Sequence, residues 1–238
     1  MILYYVRHGD PIYDPNSLTP LGMRQAEALA KRFGVHGLDR IYSSPSNRAL
    51  QTAQPTCEIL KKKPILVDFA DETHAWREIT VKRDDGKPTW VFQSKRHILL
   101  CNTREIRDQG ERWFDHPEFA QYDMEKGFAR IADHTDAFLA ELGYEHMRHT
   151  GRYRIRQHNQ ERVALFAHQG FGLAFLSCVL DIPYPMLCTH FDMGHTGVTV
   201  IEFRDVDGYC VPRVLTLSSD AHLYREGLPT KYQNEIYI

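Results

Sequence analysis

Two of the thirteen histidines in this chain stand where an imidazole could do covalent chemistry. His8 follows the apolar run Ile2-Leu3-Tyr4-Tyr5-Val6 within Arg7-His8-Gly9, and His168 follows Val163-Ala164-Leu165-Phe166-Ala167 within Ala167-His168-Gln169-Gly170. In an open α/β sheet, ligands gather beyond the carboxyl ends of the strands. A neutral imidazole there can attack an electrophilic phosphorus centre when an acceptor holds its other nitrogen. Arg7 offers a planar fork of donors to phosphoryl oxygens, and Gly9 lets the backbone approach closely. The tripeptide alone is weak, expected by chance in about 2% of chains of this length, so its context decides.

That context lies in two further segments. Ser43-Ser44-Pro45-Ser46-Asn47-Arg48-Ala49-Leu50-Gln51-Thr52-Ala53 spans a strand-to-helix junction and places Arg48 in the first helical turn, near the amide-rich end that attracts anions. Leu18-Thr19-Pro20-Leu21-Gly22-Met23-Arg24-Gln25-Ala26 starts a helix behind the first loop, with Thr19 as N-cap and Pro20 in the first turn. These elements belong to a β-α-β-α-β order: a strand at 2–6, a helix ending at Gly34, a strand at 39–43, a helix capped by Ser46 and a strand at 65–67.

The middle of the chain reads differently. Residues 72–118 lack clean periodicity, and 119–142 form an amphipathic helix that stops at Gly143. A hairpin rich in His, Arg and Tyr is expected over 146–160. Strand, helix and two further strands then resume the α/β pattern. The expectation is a single three-layer α/β/α domain over residues 1–238, with a mostly parallel central sheet and a cap inserted at about 73–150.

Composition excludes several alternatives. The 238 residues are 42% hydrophobic and 25% charged, enough to bury a sizeable core. The 29 basic and 31 acidic residues give a net charge of −2, without the basic excess of a general nucleic-acid binder. No run approaches the roughly 20 apolar residues of a membrane span. Five widely spaced cysteines without a C-x-x-C suit reduced thiols in the cytoplasm, and the N-terminus has no signal-peptide pattern. Histidine is more than twice as frequent as the roughly five of average composition, which raises a metal reading. His190 and His195 are five apart but have no companion ligand spacing, so no metal and no cofactor is expected.

In these four segments, covering residues 1–53 and 163–172, the sequence resembles the histidine phosphatase superfamily, the phosphoglycerate-mutase-like group. The ending Leu217-Ser218-Ser219-Asp220-Ala221-His222-Leu223 is also similar. The region between the acid and the second histidine resembles uncharacterised bacterial phosphatase-like members more than the glycolytic mutases. The resemblance implies that His8 becomes phosphorylated and that Arg7, Arg48 and His168 form the phosphate pocket, with Gln169 adding a backbone donor. It also implies a carboxylic acid after the third strand that protonates the leaving alkoxide. Glu72 is the first choice, in Phe69-Ala70-Asp71-Glu72-Thr73-His74-Ala75-Trp76, with Glu78 and Asp71 as runners-up. A donor acid must hold its proton before transfer, which burial or a neighbouring acid favours.

This chain departs from the family pattern in Asp10-Pro11, since Pro11 has neither hydroxyl nor N–H, and Asn16 or Ser17 would supply the missing contact. His74, beside Glu72, is expected to line the pocket, and Arg77 could touch the substrate. His222 is a further pocket candidate, and the tryptophans 76, 90 and 113 are expected in the core of the cap. The arginines of 148–162 read as a solvated face that could also draw anions. The implied activity is metal-independent hydrolysis of a small phosphorylated metabolite through phosphohistidine. The alternatives are a phosphoglycerate-mutase-type transfer and a phospho-ligand-binding module. A homodimer through an exposed cap face is compatible with the sequence.

Overall fold

The structure is a computed structural model that describes residues 1–230 and 232. Its centre is a six-stranded sheet built from β1 (Ile2–Arg7), β2 (Arg40–Ser43), β3 (Ile65–Leu66), β4 (Arg162–Ala167), β5 (Val198–Glu202) and β6 (Arg213–Ser219). The strand order is β6-β5-β1-β4-β2-β3. The three pairings from β1 through β4 and β2 to β3 are parallel, whereas β5 and β6 join antiparallel. The main helices are α1 (Pro20–His36), α2 (Asn47–Leu60), α3 (Glu72–Glu78), α4 (Met124–Glu141), α5 (Gln169–Leu180) and α6 (Tyr184–His190).

Alternation along the strands produces the layers, because successive side chains point to opposite faces. Leu3, Tyr5, Val163, Leu165 and Ala167 pack on one face with Phe138 of α4 and Phe171 and Phe175 of α5. Val6, Ala164 and Phe166 pack on the other with Leu29 and Phe33 of α1 and Ala53 and Cys57 of α2. The expected three-layer α/β/α arrangement with a mostly parallel sheet is therefore present.

Between β3 and β4 the chain runs through short helices, a hairpin pairing Thr80–Lys82 with Pro88–Trp90, and α4. Their buried side chains, including Ile79, Trp90, Ile106, Trp113, Phe119 and Ile131, join the same continuous cluster as Leu3, Leu165 and Phe175. Burial of each large apolar side chain contributes about 1.5–3 kcal/mol, so this segment shares the stability of the sheet it covers.

Two helix boundaries differ from the sequence reading. α1 runs past Gly34 to His36, and Gly37 takes its end by donating to the Phe33 carbonyl. The single helix expected over 119–142 is two, Pro117–Ala120 and α4, because Asp123 leaves helical geometry between them. The 146–160 hairpin is present as Tyr144–Met147 paired with Arg152–Ile155. Its arginines are exposed: Arg148 holds Asp133 and Asp136, Arg154 and Arg156 share Glu145, and Arg152 lies over the Tyr209 ring. They form the solvated face expected of that stretch.

Buried histidines set a pH dependence of stability. Burial, aided by Arg32, pushes His222 down to about 4. Burial also lowers His8, His168 and His97. As pH falls below the ordinary imidazole value near 6.5, the unfolded chain takes up these protons first, and stability is lost. For His222 alone the loss amounts to on the order of 3 kcal/mol by pH 4. His146 behaves oppositely. Burial disfavours its charge, but hydrogen bonds to Asp136 and Asp181 outweigh this and push it up to about 9. Its stabilisation is complete below pH 6.5 and disappears as pH rises through 9. Urea midpoints measured across pH should peak near 6.5 with a steeper acid limb, and His146→Asn should flatten the alkaline limb only.

Candidate active site

The sheet register brings the two strand-end histidines together. Arg7 of β1 is the register partner of Ala167 of β4, so the residues that follow are His8 and His168. The His8 N–H donates to the Ala167 carbonyl at 2.9 Å, and the imidazole centroids lie 5.3 Å apart. Ser43 pairs with Phe166 on the other side of β4, which delivers Ser44 to the same place. Its hydroxyl lies 2.9 Å from His168 Nε2. Three parallel carboxyl ends therefore form the floor of one site.

Each side chain there has a definite orientation. His8 Nδ1 lies 2.7 Å from the Gly9 carbonyl, and a carbonyl only accepts, so Nδ1 carries the proton and Nε2 the lone pair. Burial, then the neighbouring His168, Arg7 and Arg48, holds His8 well below the ordinary imidazole range, so the ring is neutral. The same forces, burial first, then Arg48 and Arg7, hold His168 neutral. Ser44 Oγ accepts the Ser46 N–H, so its own proton can go to His168 Nε2. That assignment places the remaining proton on His168 Nδ1, 3.7 Å from Glu72 Oε2. Tyr5 fixes the backbone here, donating to the His168 carbonyl at 2.6 Å and accepting the His168 N–H at 3.2 Å.

Glu72, at the start of α3, reaches into this site. Its Oε1 accepts the Gly170 N–H at 2.8 Å and its Oε2 accepts from Arg48 at 3.0 Å. Gly170 has no room for a side chain, since a Cβ would stand 2.3 Å from the Trp90 indole. Arg48 also donates to Asn16 Oδ1 at 3.1 Å, which puts Asn16 beside the pocket as a holder of the arginine. Asn16 further engages Ser46, whose hydroxyl occupies the N-cap position of α2 without bonding the helix amides. The other Asn16-type candidate, Ser17, turns to the Pro15 carbonyl.

The remaining candidates are placed elsewhere. His74 follows Glu72 by two residues, about 200° around α3, and pairs with Asp68 on the exposed side at 3.2 Å. It is not brought to the pocket. Asp71 caps α3 by accepting from Thr73, and Glu78 pairs with Arg130. Arg77 is exposed. The Gln169 side chain donates to Asp192. His222 is buried against Thr196 Oγ1 at 3.0 Å. Trp90 and Trp113 are core residues, whereas Trp76 is partly exposed.

Residues of the two helix-start segments hold the nucleophile loop, through contacts that the sequence alone does not show. Gly9 N–H donates to Thr52 Oγ1, Asp10 N–H to Gln25 Oε1 and Leu18 N–H to Gln51 Oε1. Gly9 and Gly22 interlock: a Cβ on Gly9 would meet the Gly22 carbonyl at 2.8 Å, and one on Gly22 the Asp10 carbonyl at 2.3 Å. His195 stacks on His8 with centroids 5.8 Å apart and faces Asp10 at 3.5 Å.

Among the described residues, His8, Glu72 and His168 are the one trio of potential metal ligands, with ligand atoms within 4.8 Å of one another. Arg7 and Arg48 share their surroundings, and two guanidinium groups oppose a cation. The donor set suits an anion better. Arg7 Nε, Arg48 Nε and His168 Nδ1 are buried donors without a hydrogen-bond acceptor in the folded chain, and buried donors are ordinarily satisfied. His190 instead lies 3.0 Å from Thr189 Oγ1 and from the Met186 carbonyl.

A family model, the histidine phosphatase superfamily (branch 1), matches residues 3–213. The chain belongs to that superfamily. A curated relative, "Putative phosphoserine phosphatase 2" of Hydrogenobacter thermophilus, is 32% identical over 108 residues, 41% of this chain. The matched part spans about half (50%) of that relative's length. The fold is shared with a phosphoserine phosphatase of Entamoeba histolytica solved with 3-phosphoglyceric acid, at TM-score 0.60 and 20% identity, over 93% of this chain and 98% of that one. It is also shared with a mycobacterial glucosyl-3-phosphoglycerate phosphatase, at TM-score 0.58 and 18% identity, over 92% and 98%. The alpha-ribazole phosphatase of Shigella flexneri gives 0.56 and 17%, over 92% and 97%. Among the described residues, no helix of this histidine phosphatase superfamily member is long and apolar enough to cross a membrane.

Proposed function

We propose that this chain is a phosphomonoesterase that acts through a phosphohistidine on His8. The observation that carries the reading is the orientation of His8: a neutral ring, its Nδ1 proton held by Gly9, its lone pair on Nε2, beside two arginines. In the first step Nε2 forms a bond to phosphorus as the ester P–O bond breaks, and Glu72 delivers a proton to the departing alkoxide. Arg7, Arg48 and His168 donate to the phosphoryl oxygens and offset the charge of a group close to −2. In the second step Glu72 takes a proton from water, the water oxygen bonds to phosphorus, and the P–N bond to His8 breaks. The guanidinium and imidazole donors supply the charge stabilisation, so the reaction needs no metal. A small phosphorylated metabolite is the substrate class that fits, and the five free cysteines suit a cytoplasmic setting.

The test is incubation with p-nitrophenyl phosphate and with 3-phosphoglycerate. Phosphate release that EDTA leaves intact is expected, together with an acid-labile phosphoenzyme. Isomer exchange on 3-phosphoglycerate without net release would instead make the chain a mutase. Loss of activity on chelation would overturn the metal-independent mechanism. Tight vanadate binding without turnover of any ester would make it a binding module.

A further inference from the structure

The surroundings of Glu72 carry information about the leaving alcohol. Tyr13 is 68% exposed, yet its ring sits 5.6 Å from the Arg48 guanidinium carbon, and that guanidinium holds Glu72. Trp76 follows Glu72 by four residues, so the two lie about 40° apart on one face of α3. Trp76 is 37% exposed and stands edge-on to Trp90 at 5.1 Å. Trp90 in turn backs Gly170, the amide donor to Glu72. Two exposed aromatic rings are thus tied to the carboxylate that would meet the leaving oxygen, Tyr13 through Arg48 and Trp76 through Trp90 and Gly170. Phe191, 46% exposed, adjoins Asp192, the residue that fixes Gln169.

The charges nearby have the wrong sign for an acidic leaving group. Asp10 and Asp192 accompany Glu72 in the segments that form the site. Among the described residues of those segments, the basic groups, histidine apart, are Arg7 and Arg48, with Arg77 on α3 and Arg24 exposed on α1. The first two belong to the phosphoryl pocket, and Arg77 lies about 140° around α3 from Glu72. A carboxylate on the alcohol would therefore meet acids rather than a cation, whereas aromatic faces gain from stacking and from burial of apolar area.

Resting on the phosphomonoesterase reading, we propose that the leaving alcohol of the substrate is apolar and aromatic, held between Tyr13 and Trp76. Tyr13 and Trp76 are then specificity-determining residues outside the reacting centre. The experiment compares 2-phenylethyl phosphate with O-phospho-L-serine and 3-phosphoglycerate, all esters of poor, alkyl leaving groups. The wild-type chain is expected to favour 2-phenylethyl phosphate at least about 10-fold in kcat/KM. Trp76→Ala and Tyr13→Ser should each lower that value about 5- to 30-fold, mainly through KM, and leave methyl phosphate unaffected. Trp76→Phe should restore most of it. Tyr13 lies on an exposed loop, so its variant tests the proposal even if Trp76→Ala misfolds. Equal or better hydrolysis of the two acidic esters overturns the proposal alone, as does a loss in the variants that is the same on methyl phosphate. Failure of the wild-type chain on every ester, p-nitrophenyl phosphate included, overturns the phosphomonoesterase reading and this proposal with it.

Discussion

His8→Ala is expected to remove phosphatase turnover, with a fall on the order of 10⁴-fold or more, since the substitution deletes the nucleophile itself. No nearby group can take over. His168 has its Nε2 engaged by Ser44, and its backbone is clamped at both the N–H and the carbonyl by Tyr5. Its ring therefore cannot swing into the position His8 vacates. The Arg7 and Arg48 guanidiniums remain, so phosphate and vanadate should still bind, and the defect should lie in kcat. The direct readout is chemical: wild-type chain quenched during turnover should carry phosphate that is stable to base and labile to acid, and His8→Ala should carry none. Undiminished hydrolysis by this variant would refute the phosphohistidine route. His8 is buried, so circular dichroism should accompany the assay to show that the fold survives the lost imidazole.

Glu72→Gln should divide substrates by leaving group. With alkyl phosphates the loss is expected at about 10²–10⁴-fold, the usual worth of a positioned proton donor. With p-nitrophenyl phosphate the loss should be far smaller, because nitrophenolate departs without a proton. A purely structural role for Glu72 would depress both classes equally. The two carboxylate oxygens accept different donors, Gly170 N–H and Arg48, and an amide can accept only one of them. Some rise in KM is therefore expected on every substrate from the displaced Arg48. Asp71→Asn and Glu78→Gln serve as controls. Asp71 caps α3 and Glu78 pairs with Arg130, so their removal should alter stability more than turnover. A leaving-group dependence in Glu78→Gln but not in Glu72→Gln would reassign the proton donor.

The parts of the site that are legible in the sequence are those written locally. β1 and β4 are short apolar runs, and the histidine that ends each is visible without knowing that the strands are neighbours. Arg48 is equally local, as the second residue of a helix that opens on Ser46. What needs helical phase is harder. Glu72 and His74 look equivalent as neighbours in sequence, but only the start of α3 at Glu72 shows that they point to opposite sides. The loop-holding contacts of Gln25, Gln51 and Thr52 cross 15, 33 and 43 residues, and their donors are backbone amides that carry no residue signature. His195 stands in the stretch between α6 and β5, where no periodicity marks a side chain that will stack on His8. The segment over 72–118 was unreadable for a related reason. Helices such as Lys95–Cys101 and Arg104–Gln109 are too short to display a period, and their core residues find partners far away in the chain.

The continuity of that segment's core with the core of the sheet limits how a new specificity could arise in this lineage. Trp113, Phe119 and Ile131 cannot be exchanged freely, because they belong to the same core that holds the sheet together. Deleting one such side chain costs about 2–5 kcal/mol, a large share of the stability a domain possesses. The segment is therefore not a module that can be grafted or replaced whole. Changes in substrate range have a narrower route, through outward positions such as Trp76 and the loop around Tyr13, where a substitution alters what the reacting centre meets and disturbs less of the core. In such an architecture, selectivity drifts by single exposed side chains and not by remodelling of the segment that carries them.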